Sequence, residues 1–297
     1  MNSVPEFATA KHLGVFNNRE EWLEVRRSGI GGSEVAAICG LSKWESAYTL
    51  WLRKTGRVED KDLSGNEAVE WGNRLEPVVI DKFADNHPEL TLFREVGTYA
   101  HKENEWMRSN PDALYQLEDG SWGVLEIKTA QFEDDWVDGV PKYYYCQVQW
   151  YMQILGIGQA TVAVLFHGNK YREYHMLANG LEQQTNYENA RAFIEAVQVD
   201  LPPEFDDLEA TYEAVRAQHP EIDASLSVEL GELGINYLQQ DKVCKQEYAK
   251  LQGLKTRIMS ELSTAKTGLV YDVPMFTRSA KGVTGLPYLQ IKKGKVD

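Results

Sequence analysis

The sequence predicts an α/β protein in which a central mixed sheet is flanked by helices. Apolar residues recur with helical spacing on both sides of the middle of the chain, whereas the segment from about residue 91 has the short runs of strands. Two more strand-like runs follow the next helical segment. Because helical and strand patterns are interleaved in this way, we expect one sheet with helices packed against it.

Before the first of these strands, helical spacing predicts helices over 17–27, from Ser33 onward, over 45–55 and over 66–86. An asparagine stands at the start of the first helix as its cap. Ser33 occupies the expected N-cap position of the second helix, directly after a glycine-rich break, so that its first amides would face outward toward an anion.

Strands are predicted over 91–100, 112–117 and 121–129, and the last two are separated by Glu118-Asp119-Gly120. The remaining elements of this part of the chain are a helix over 141–155, a hairpin around Gly168-Asn169 and a helix over 181–199.

The composition changes after Leu201-Pro202-Pro203, which predicts a core domain over 1–204 and an appendage over 205–297. Within the appendage, apolar residues recur every seventh position along 235–264, at Tyr237, Cys244, Leu251 and Ile258. This spacing predicts a long helix with one apolar seam, in a helical hairpin or coiled coil, followed by a short strand-like tail.

The net charge of −14 does not by itself favour a nucleic-acid ligand, because Lys and Arg supply much of the affinity for phosphates. The charge is nevertheless uneven along the chain. From Lys266 onward basic residues outnumber acidic ones, and the basic residues are Lys266, Arg278, Lys281, Lys292, Lys293 and Lys295. An acidic exterior is compatible with DNA confined to a basic groove.

Other bulk features narrow the class of protein. No run of about 18 apolar residues is present and the N-terminus lacks a secretory pattern, so we expect a cytoplasmic protein with no membrane partner. Cys39, Cys146 and Cys244 are far apart in the sequence, which argues against a disulfide framework and against an iron–sulfur nuclease, whose cluster needs four ligands.

The strongest chemical signal is Pro111-Asp112, followed on the next predicted strand by Glu126-Ile127-Lys128. Two carboxylates suit a hard cation such as Mg²⁺ or Mn²⁺, which stabilises charge on a phosphate, and the lysine can orient or polarise an attacking water. Alternation along a strand puts Glu126 and Lys128 on one face. Taken alone, the three residues could equally be exposed charges on an amphipathic hairpin.

The turn of this hairpin decides whether the two carboxylates meet. A two-residue turn would set Asp112 opposite Ile127 and on the other face from Glu126. A three-residue loop with Gly120 in a left-handed conformation sets Asp112 opposite Glu126. We predict the second register or an equivalent bulge, because the first register would separate the two carboxylates.

Five segments occur in order within residues 20–180: RxSGIGGSEV from Arg26, EWGNRLEP from Glu70, NPD from Asn110, LEIK from Leu125 and YYCQVQ from Tyr144. Together they resemble the YqaJ-type viral recombinase family, relatives of phage lambda exonuclease in the PD-(D/E)xK nuclease superfamily. The resemblance implies a restriction-endonuclease-like core, with the C-terminal helical appendage as an addition, and a metal-dependent exodeoxyribonuclease activity.

The resemblance also implies roles for individual residues of the catalytic centre. Asp112, Glu126 and the backbone carbonyl of Ile127 would bind the metal, expected as two Mg²⁺ ions with Mn²⁺ as an alternative. Lys128 would be the catalytic lysine. Two further residues are implied near the metals: Glu76 as an acidic group and Gln147 as a support of the active site.

A second group is implied to bind the DNA. Arg26 and Ser33 match the pair that holds the 5′ phosphate, and Tyr144 matches a tyrosine near the site. The family commonly has Ser-Pro-Asp-Gly where this chain has Asn110-Pro111-Asp112-Ala113. At Asn110 an amide therefore replaces a hydroxyl that would contact the phosphate, and we expect end recognition to differ in detail from that of the family.

The expected reaction is hydrolysis of duplex DNA from 5′ ends, leaving 3′ single strands for phage-type recombination. The resemblance implies double-stranded DNA as substrate, a single-strand annealing protein as partner and a ring-like homotrimer. Two alternatives stay open at this point. One is an endonuclease with the same catalytic core but no need for ends, and the other is a non-catalytic DNA-binding protein.

Overall fold

A computed structural model of the chain describes residues 4–16, 18–60, 62, 65–282 and 285–291. The chain divides into two compact units, residues 1–220 and residues 221–297. Among the described residues, no helix is both long enough and apolar enough to cross a membrane.

Within the described residues, the first unit combines helices with a five-stranded and a three-stranded sheet. Its helices are α1 (Arg19–Arg27), α2 (Gly32–Ile38), α3 (Ala47–Lys54), α4 (Glu67–Asn86), α5 (Lys142–Leu155), α6 (Gly180–Gln198) and α7 (Glu209–Gln218). Its strands are β1 (Ala10–Gly14), β2 (Thr91–Arg94), β3 (Thr98–His101), β4 (Arg108–Ser109), β5 (Ala113–Gln116), β6 (Trp122–Ala130), β7 (Gln159–Phe166) and β8 (Lys170–Leu177).

The five-stranded sheet confirms the predicted mixed sheet. Its strand order is β2-β5-β6-β7-β8, in which β6 and β7 run parallel and the other neighbours run antiparallel. Helix α5 lies between the two parallel strands in sequence, as a parallel connection requires. Strand β6 is therefore the central strand, and its middle residues are buried on both faces of the sheet.

Helices cover both faces of this sheet, and alternation along β6 decides which side chains meet which helix. Leu125 and Ile127 belong to a buried cluster formed with residues of α4. Val124 belongs to the larger cluster formed with α2, α5 and α6. Because Glu126 and Lys128 share the face of Val124, they lie on the α5 side of the sheet.

The β5–β6 hairpin has the predicted register. Ala113 pairs with Leu125, and continuing the ladder outward brings Asp112 level with Glu126. Gly120 adopts a φ of 83°, in the left-handed region that the three-residue loop requires. The turn therefore assembles the two carboxylates as the sequence predicted.

The predicted single strand over 91–100 is wrong. This segment forms β2 and β3, which belong to different sheets. Between them Glu95 and Gly97 have φ angles of 53° and 73°, which turn the backbone. A Cβ atom at Gly97 would lie 2.3 Å from the carbonyl oxygen of Gly14, so only glycine permits this close approach.

The predicted N-cap at Ser33 is also wrong. Helix α2 begins at Gly32, and Gly31 is its N-cap. The amide of Gly31 donates to the Glu34 carboxylate at 2.9 Å, so this amide is already satisfied and is not open to an anion. Ser33 instead lies within the first turn of the helix, with an exposed side chain.

The other predicted helices of the core are confirmed with small shifts of their ends. Asn18 is the N-cap of α1, and its side chain accepts the amide of Glu20, whereas residue 17 lies outside the described residues. The first unit extends beyond the predicted boundary at residue 204, because α7, which the sequence pattern did not predict, packs against α3. There Thr211 Oγ1 donates to Ser46 Oγ at 2.7 Å.

The second unit contains helix α8 (Gly231–Leu262) and a sheet of β9 (Thr267–Val270), β10 (Val273–Ala280) and β11 (Pro287–Ile291). The long helix and the strand-like tail are confirmed. In the described part of this unit, α8 packs against strands and not against a second helix, so no helical hairpin forms there. Three of the basic tail residues, Lys292, Lys293 and Lys295, lie outside the described residues.

His87 ties the end of α4 to strand β8. Its Nε2 lies 2.6 Å from Glu173 Oε2, and its Nδ1 lies 3.3 Å from Glu89 Oε1. Burial favours the neutral ring, but hydrogen bonds to the two glutamates outweigh burial and raise the pKa of His87. The stabilisation is therefore fully present below the unfolded pKa of about 6.5 and is lost as the pH rises through the folded pKa.

We expect His87→Gln to lower the free energy of unfolding by up to about 1 kcal/mol at about pH 6. The difference from the wild type should shrink as the pH is raised toward about 9, because the wild-type ring loses its charge. Urea denaturation across this range measures the effect, with the exposed His219 as the site of a control His219→Gln variant. A His87→Gln difference that is constant with pH would contradict this assignment.

Candidate active site

Glu126 and Lys128 form a buried ion pair on the central strand. Lys128 Nζ lies 2.6 Å from Glu126 Oε1, and Glu126 is only 2% exposed. Their spacing of two residues puts both side chains on one face of β6. A carboxylate buried this deeply is costly unless other groups compensate its charge and fill its hydrogen-bonding capacity.

Helix α5 supplies part of that compensation. Gln147 Nε2 donates to Glu126 Oε1 at 2.7 Å and to the hydroxyl of Tyr151 at 3.0 Å. The ring of Tyr144 lies beside Lys128, with Nζ 4.7 Å from the ring centroid, a cation–π contact. These three side chains of α5 recur at helical spacing, so one face of the helix meets the ion pair.

Asp112 reaches the same place from the segment that leads into β5. Its Oδ2 accepts a hydrogen bond from the backbone amide of Ile127 at 2.7 Å, so the backbone of β6 fixes this carboxylate. The structure thus brings together Asp112, Glu126 and Lys128, with the backbone amide of Ile127 bound to the first carboxylate.

Glu76 of α4 is a third acid of this group. Burial and the charge of Asp112 raise the pKa of Glu76 to about 7. The pKa of Glu126 is also raised, mainly by burial and next by the charge of Asp112. Burial raises the pKa of Asp112 itself. Lys128 lowers each of these pKa values but does not offset the other effects. One lysine is therefore not enough to neutralise the three acids.

The donor set fits a hard divalent cation. Glu126 Oε2 is buried and has no hydrogen-bond partner in the described structure, a costly state that a cation would relieve. Carboxylate and carbonyl oxygens are the ligands that Mg²⁺ prefers, and this ion keeps several waters. Among the described residues no three His, Cys, Asp or Glu side chains form a metal-binding cluster, so Asp112 and Glu126 would provide only part of a shell.

Arg26 and Ser33, the predicted phosphate-binding pair, meet across the loop between α1 and α2. Arg26 Nη2 donates to Ser33 Oγ at 3.2 Å. Behind them Glu34 is fully buried and holds Arg26 Nε at 3.3 Å, Arg53 at 3.1 Å and Lys54 at 2.9 Å. Burial opposes ionisation, but these three cations outweigh it and lower the pKa of Glu34. A charged Glu34 therefore anchors Arg26.

One cavity of about 960 Å³ joins the two groups. The residues that line it include Asp112, Glu126 and Lys128 as well as Arg26 and Ser33. Every residue that the sequence predicted for the site lines this cavity: Arg26, Ser33, Glu76, Asn110, Asp112, Glu126, Ile127, Lys128, Tyr144 and Gln147.

Four residues that shape the site were not predicted: Glu34, Arg53, Lys54 and Tyr151. Tyr151 follows Gln147 by four positions on α5, so helical spacing could have identified it. The ion pairs of Glu34 with Arg53 and Lys54 join α2 to α3, and no local pattern in the sequence indicates this pairing.

Solved structures with the same architecture define the class of fold. The crystal structure of an alkaline exonuclease (LHK-Exo) from Laribacter hongkongensis matches with a TM-score of 0.50 at 16% identity, covering 67% of this chain and 98% of that chain. LHK-Exo in complex with dAMP matches with a TM-score of 0.50 at 17% identity, covering 67% and 97%. The fold of this chain is similar to that of these two exonuclease structures.

Residues 21–163 match the YqaJ-like viral recombinase domain. The uncharacterized protein YqaJ of Bacillus subtilis (strain 168) is 29% identical over 268 residues, which cover 85% of this chain and 81% of that protein. The chain thus contains a domain similar to the YqaJ-like viral recombinase domain. The resemblance seen in the five sequence segments is thereby confirmed.

Gly32 lies where α2 passes close to α5. A Cβ atom at Gly32 would lie 2.5 Å from Tyr151 Cε1 and 3.0 Å from Gln147 Cγ. We therefore expect Gly32→Ala to displace these two side chains and to lower the free energy of unfolding by about 1–3 kcal/mol. Chemical denaturation measures the loss.

The neighbouring Gly31 offers a matched control for this variant. A Cβ atom at Gly31 would have its nearest neighbour at 3.9 Å, which is an ordinary contact. Gly31→Ala should therefore cost clearly less stability than Gly32→Ala. Equal losses in the two variants would contradict the close packing of α2 against α5.

Proposed function

We propose that the protein is a divalent-metal-dependent deoxyribonuclease that degrades duplex DNA from its ends. The observation that carries this proposal is the presence, in one cavity, of the Asp112–Glu126–Lys128 group, whose Glu126 is buried, and of the Arg26–Ser33 pair. The first group suits hydrolysis of a phosphodiester and the second suits binding of a phosphate. A protein that only bound DNA would carry the cost of buried acids without using them.

The proposed cofactor is Mg²⁺, with Mn²⁺ as an alternative, in two sites held by Asp112, Glu126 and the carbonyl of Ile127 with Glu76 nearby. When bound, the metal stabilises charge on the phosphate and lowers the pKa of a bound water. Lys128, fixed by Glu126 and by the ring of Tyr144, is placed to orient the attacking water. Gln147 holds the Glu126 carboxylate in one orientation through its hydrogen bond to Oε1.

The proposed polarity is 5′ to 3′. Arg26 and Ser33 would hold the 5′ phosphate of the strand that is cut, so that each cleavage releases a nucleoside monophosphate and leaves a 3′ single strand. Asn110, on the same cavity wall, supports a polar contact to that phosphate. The complex of LHK-Exo with dAMP supports this class of product, because dAMP is a deoxynucleoside monophosphate.

The proposed partners are those of a phage-type recombination reaction. Double-stranded DNA is the substrate, and the 3′ strand passes to a single-strand annealing protein. We also propose a ring-like homotrimer, in which the duplex is encircled during digestion. The similarity of residues 21–163 to the YqaJ-like viral recombinase domain supports the role in recombination.

Removal of the Glu126 charge tests the proposal directly. We expect Glu126→Gln to reduce Mg²⁺-dependent release of nucleotides from linear duplex DNA by at least about 100-fold, because the substitution removes a metal ligand. Glu118→Gln is the matched control, since Glu118 lies exposed in the turn of the same hairpin and should retain activity. Chelation of the metal should abolish the activity of the wild type and of the control.

Closed circular DNA separates the end-dependent enzyme from the two alternatives. The proposed exonuclease should degrade linear duplex and leave circles intact. Cutting of circles would instead identify an endonuclease with the same core. No cleavage of either substrate, together with retained DNA binding, would favour a non-catalytic binding protein.

A further inference from the structure

Arg108, on strand β4, has a partly buried guanidinium group. The reaction proposed above assigns no role to this residue. Its Nε and Nη1 are buried without a hydrogen-bond partner in the described structure, and its Nη2 meets the exposed Ser28 Oγ at 3.4 Å. Burial lowers the pKa of Arg108, and the charge of Glu105 only partly opposes this effect. Buried N–H groups without acceptors are costly, and a bound anion would relieve that cost.

The backbone holds Arg108 against the loop between α1 and α2. The amide of Ile30 donates to the carbonyl of Trp106 at 2.7 Å, and the amide of Arg108 donates to the carbonyl of Ile30 at 2.9 Å. Gly29 makes room for the side chain, because a Cβ atom there would lie 2.8 Å from Arg108 Cγ and 2.4 Å from the Trp106 carbonyl oxygen. The backbone of this arginine is thus held beside the loop, and Gly29 leaves space for its side chain.

Arg108 lines the same cavity as Arg26, Ser33 and Asn110. The side-chain oxygen of Asn110 accepts a hydrogen bond from Thr98 Oγ1 at 2.9 Å, which leaves the Nδ2 protons for another acceptor. This part of the wall therefore carries two guanidinium groups, a hydroxyl group and an amide group. All four can donate hydrogen bonds, as a phosphate requires.

We propose that Arg108 is a second phosphate-binding arginine of this cavity and that, with Arg26, it selects DNA ends that carry a 5′ phosphate. The inference rests on the proposed function, because it assumes that a DNA end enters the cavity. The long contact to Ser28 leaves the guanidinium able to turn toward a bound phosphate. Asn110 would add an amide contact to the same group.

The charge of the ligand gives the reason for selection. A terminal phosphate monoester carries about −1.5 to −2 charges at neutral pH, whereas a 5′ hydroxyl end presents only internal diesters with one charge each. Two guanidinium groups therefore complement a phosphorylated 5′ end better than a 5′ end with a hydroxyl group. Loss of one charge-assisted contact should therefore reduce the preference for phosphorylated ends by about 10- to 100-fold.

The test uses the full-length protein and a DNA duplex whose 5′ end is either phosphorylated or a hydroxyl. Fluorescence anisotropy in the presence of a chelator measures binding to each end, so that no cleavage is needed. Nucleotide release in Mg²⁺ then measures the ratio of rates on the two ends. Arg108→Gln is compared with Arg108→Lys, which keeps the charge but loses the planar fork, and with Arg191→Gln, an exposed arginine of α6.

We expect Arg108→Gln to lose most of the preference for the phosphorylated end in both measurements, Arg108→Lys to lose part of it, and Arg191→Gln to keep it. If Arg108→Gln fails to fold, the partial loss in Arg108→Lys decides the question. An unchanged preference in a folded Arg108 variant would overturn the inference, as would a wild type that binds both ends equally. A wild type that prefers phosphorylated ends through Arg108 but cuts no DNA would refute the proposed nuclease and leave this binding role intact.

Discussion

The site depends on the burial of Glu126 in the middle of the central strand, beside Asp112. Strand β6 runs parallel to β7 and is covered by helices on both faces, which leaves Glu126 only 2% exposed. Lys128 and Gln147 satisfy one of its oxygens and leave the other without a partner. The fold thus leaves one oxygen of a buried carboxylate without a partner, and the remaining features of the site surround that oxygen.

Glu34 and Glu126 are both buried, but their surroundings shift their pKa values in opposite directions. Glu34 contacts three cations, Arg26, Arg53 and Lys54, and its pKa is lowered, so it serves as a permanent anion that fixes α1 against α2 and α3. Glu126 has one lysine and shares its surroundings with other acids, so its pKa is raised. Complete neutralisation suits a structural anchor, whereas incomplete neutralisation suits a site that recruits a metal.

Local chemistry explains why part of this arrangement was predictable from the sequence. The period of two along a strand and the possible turns leave two registers for the hairpin, and the need to bring Asp112 opposite Glu126 selects the three-residue loop with a left-handed glycine. The break between β2 and β3 was missed because it depends on the close approach of Gly97 to a distant strand. The N-cap at Ser33 was misassigned because the buried charge of Glu34 competes for the same helix start. Contacts of this kind depend on tertiary packing, which a local sequence pattern does not predict.

The measurement that tests the central claim most directly is the dependence of thermal stability on divalent metal. A ligand that binds only the folded state raises the midpoint of unfolding with its concentration. If the Asp112–Glu126 group is a metal site, Mg²⁺ or Mn²⁺ should raise the midpoint of the wild type and of Glu118→Gln but not that of Glu126→Gln. Equal shifts in all three proteins, or no shift in the wild type, would contradict the assignment of the buried carboxylates to a metal.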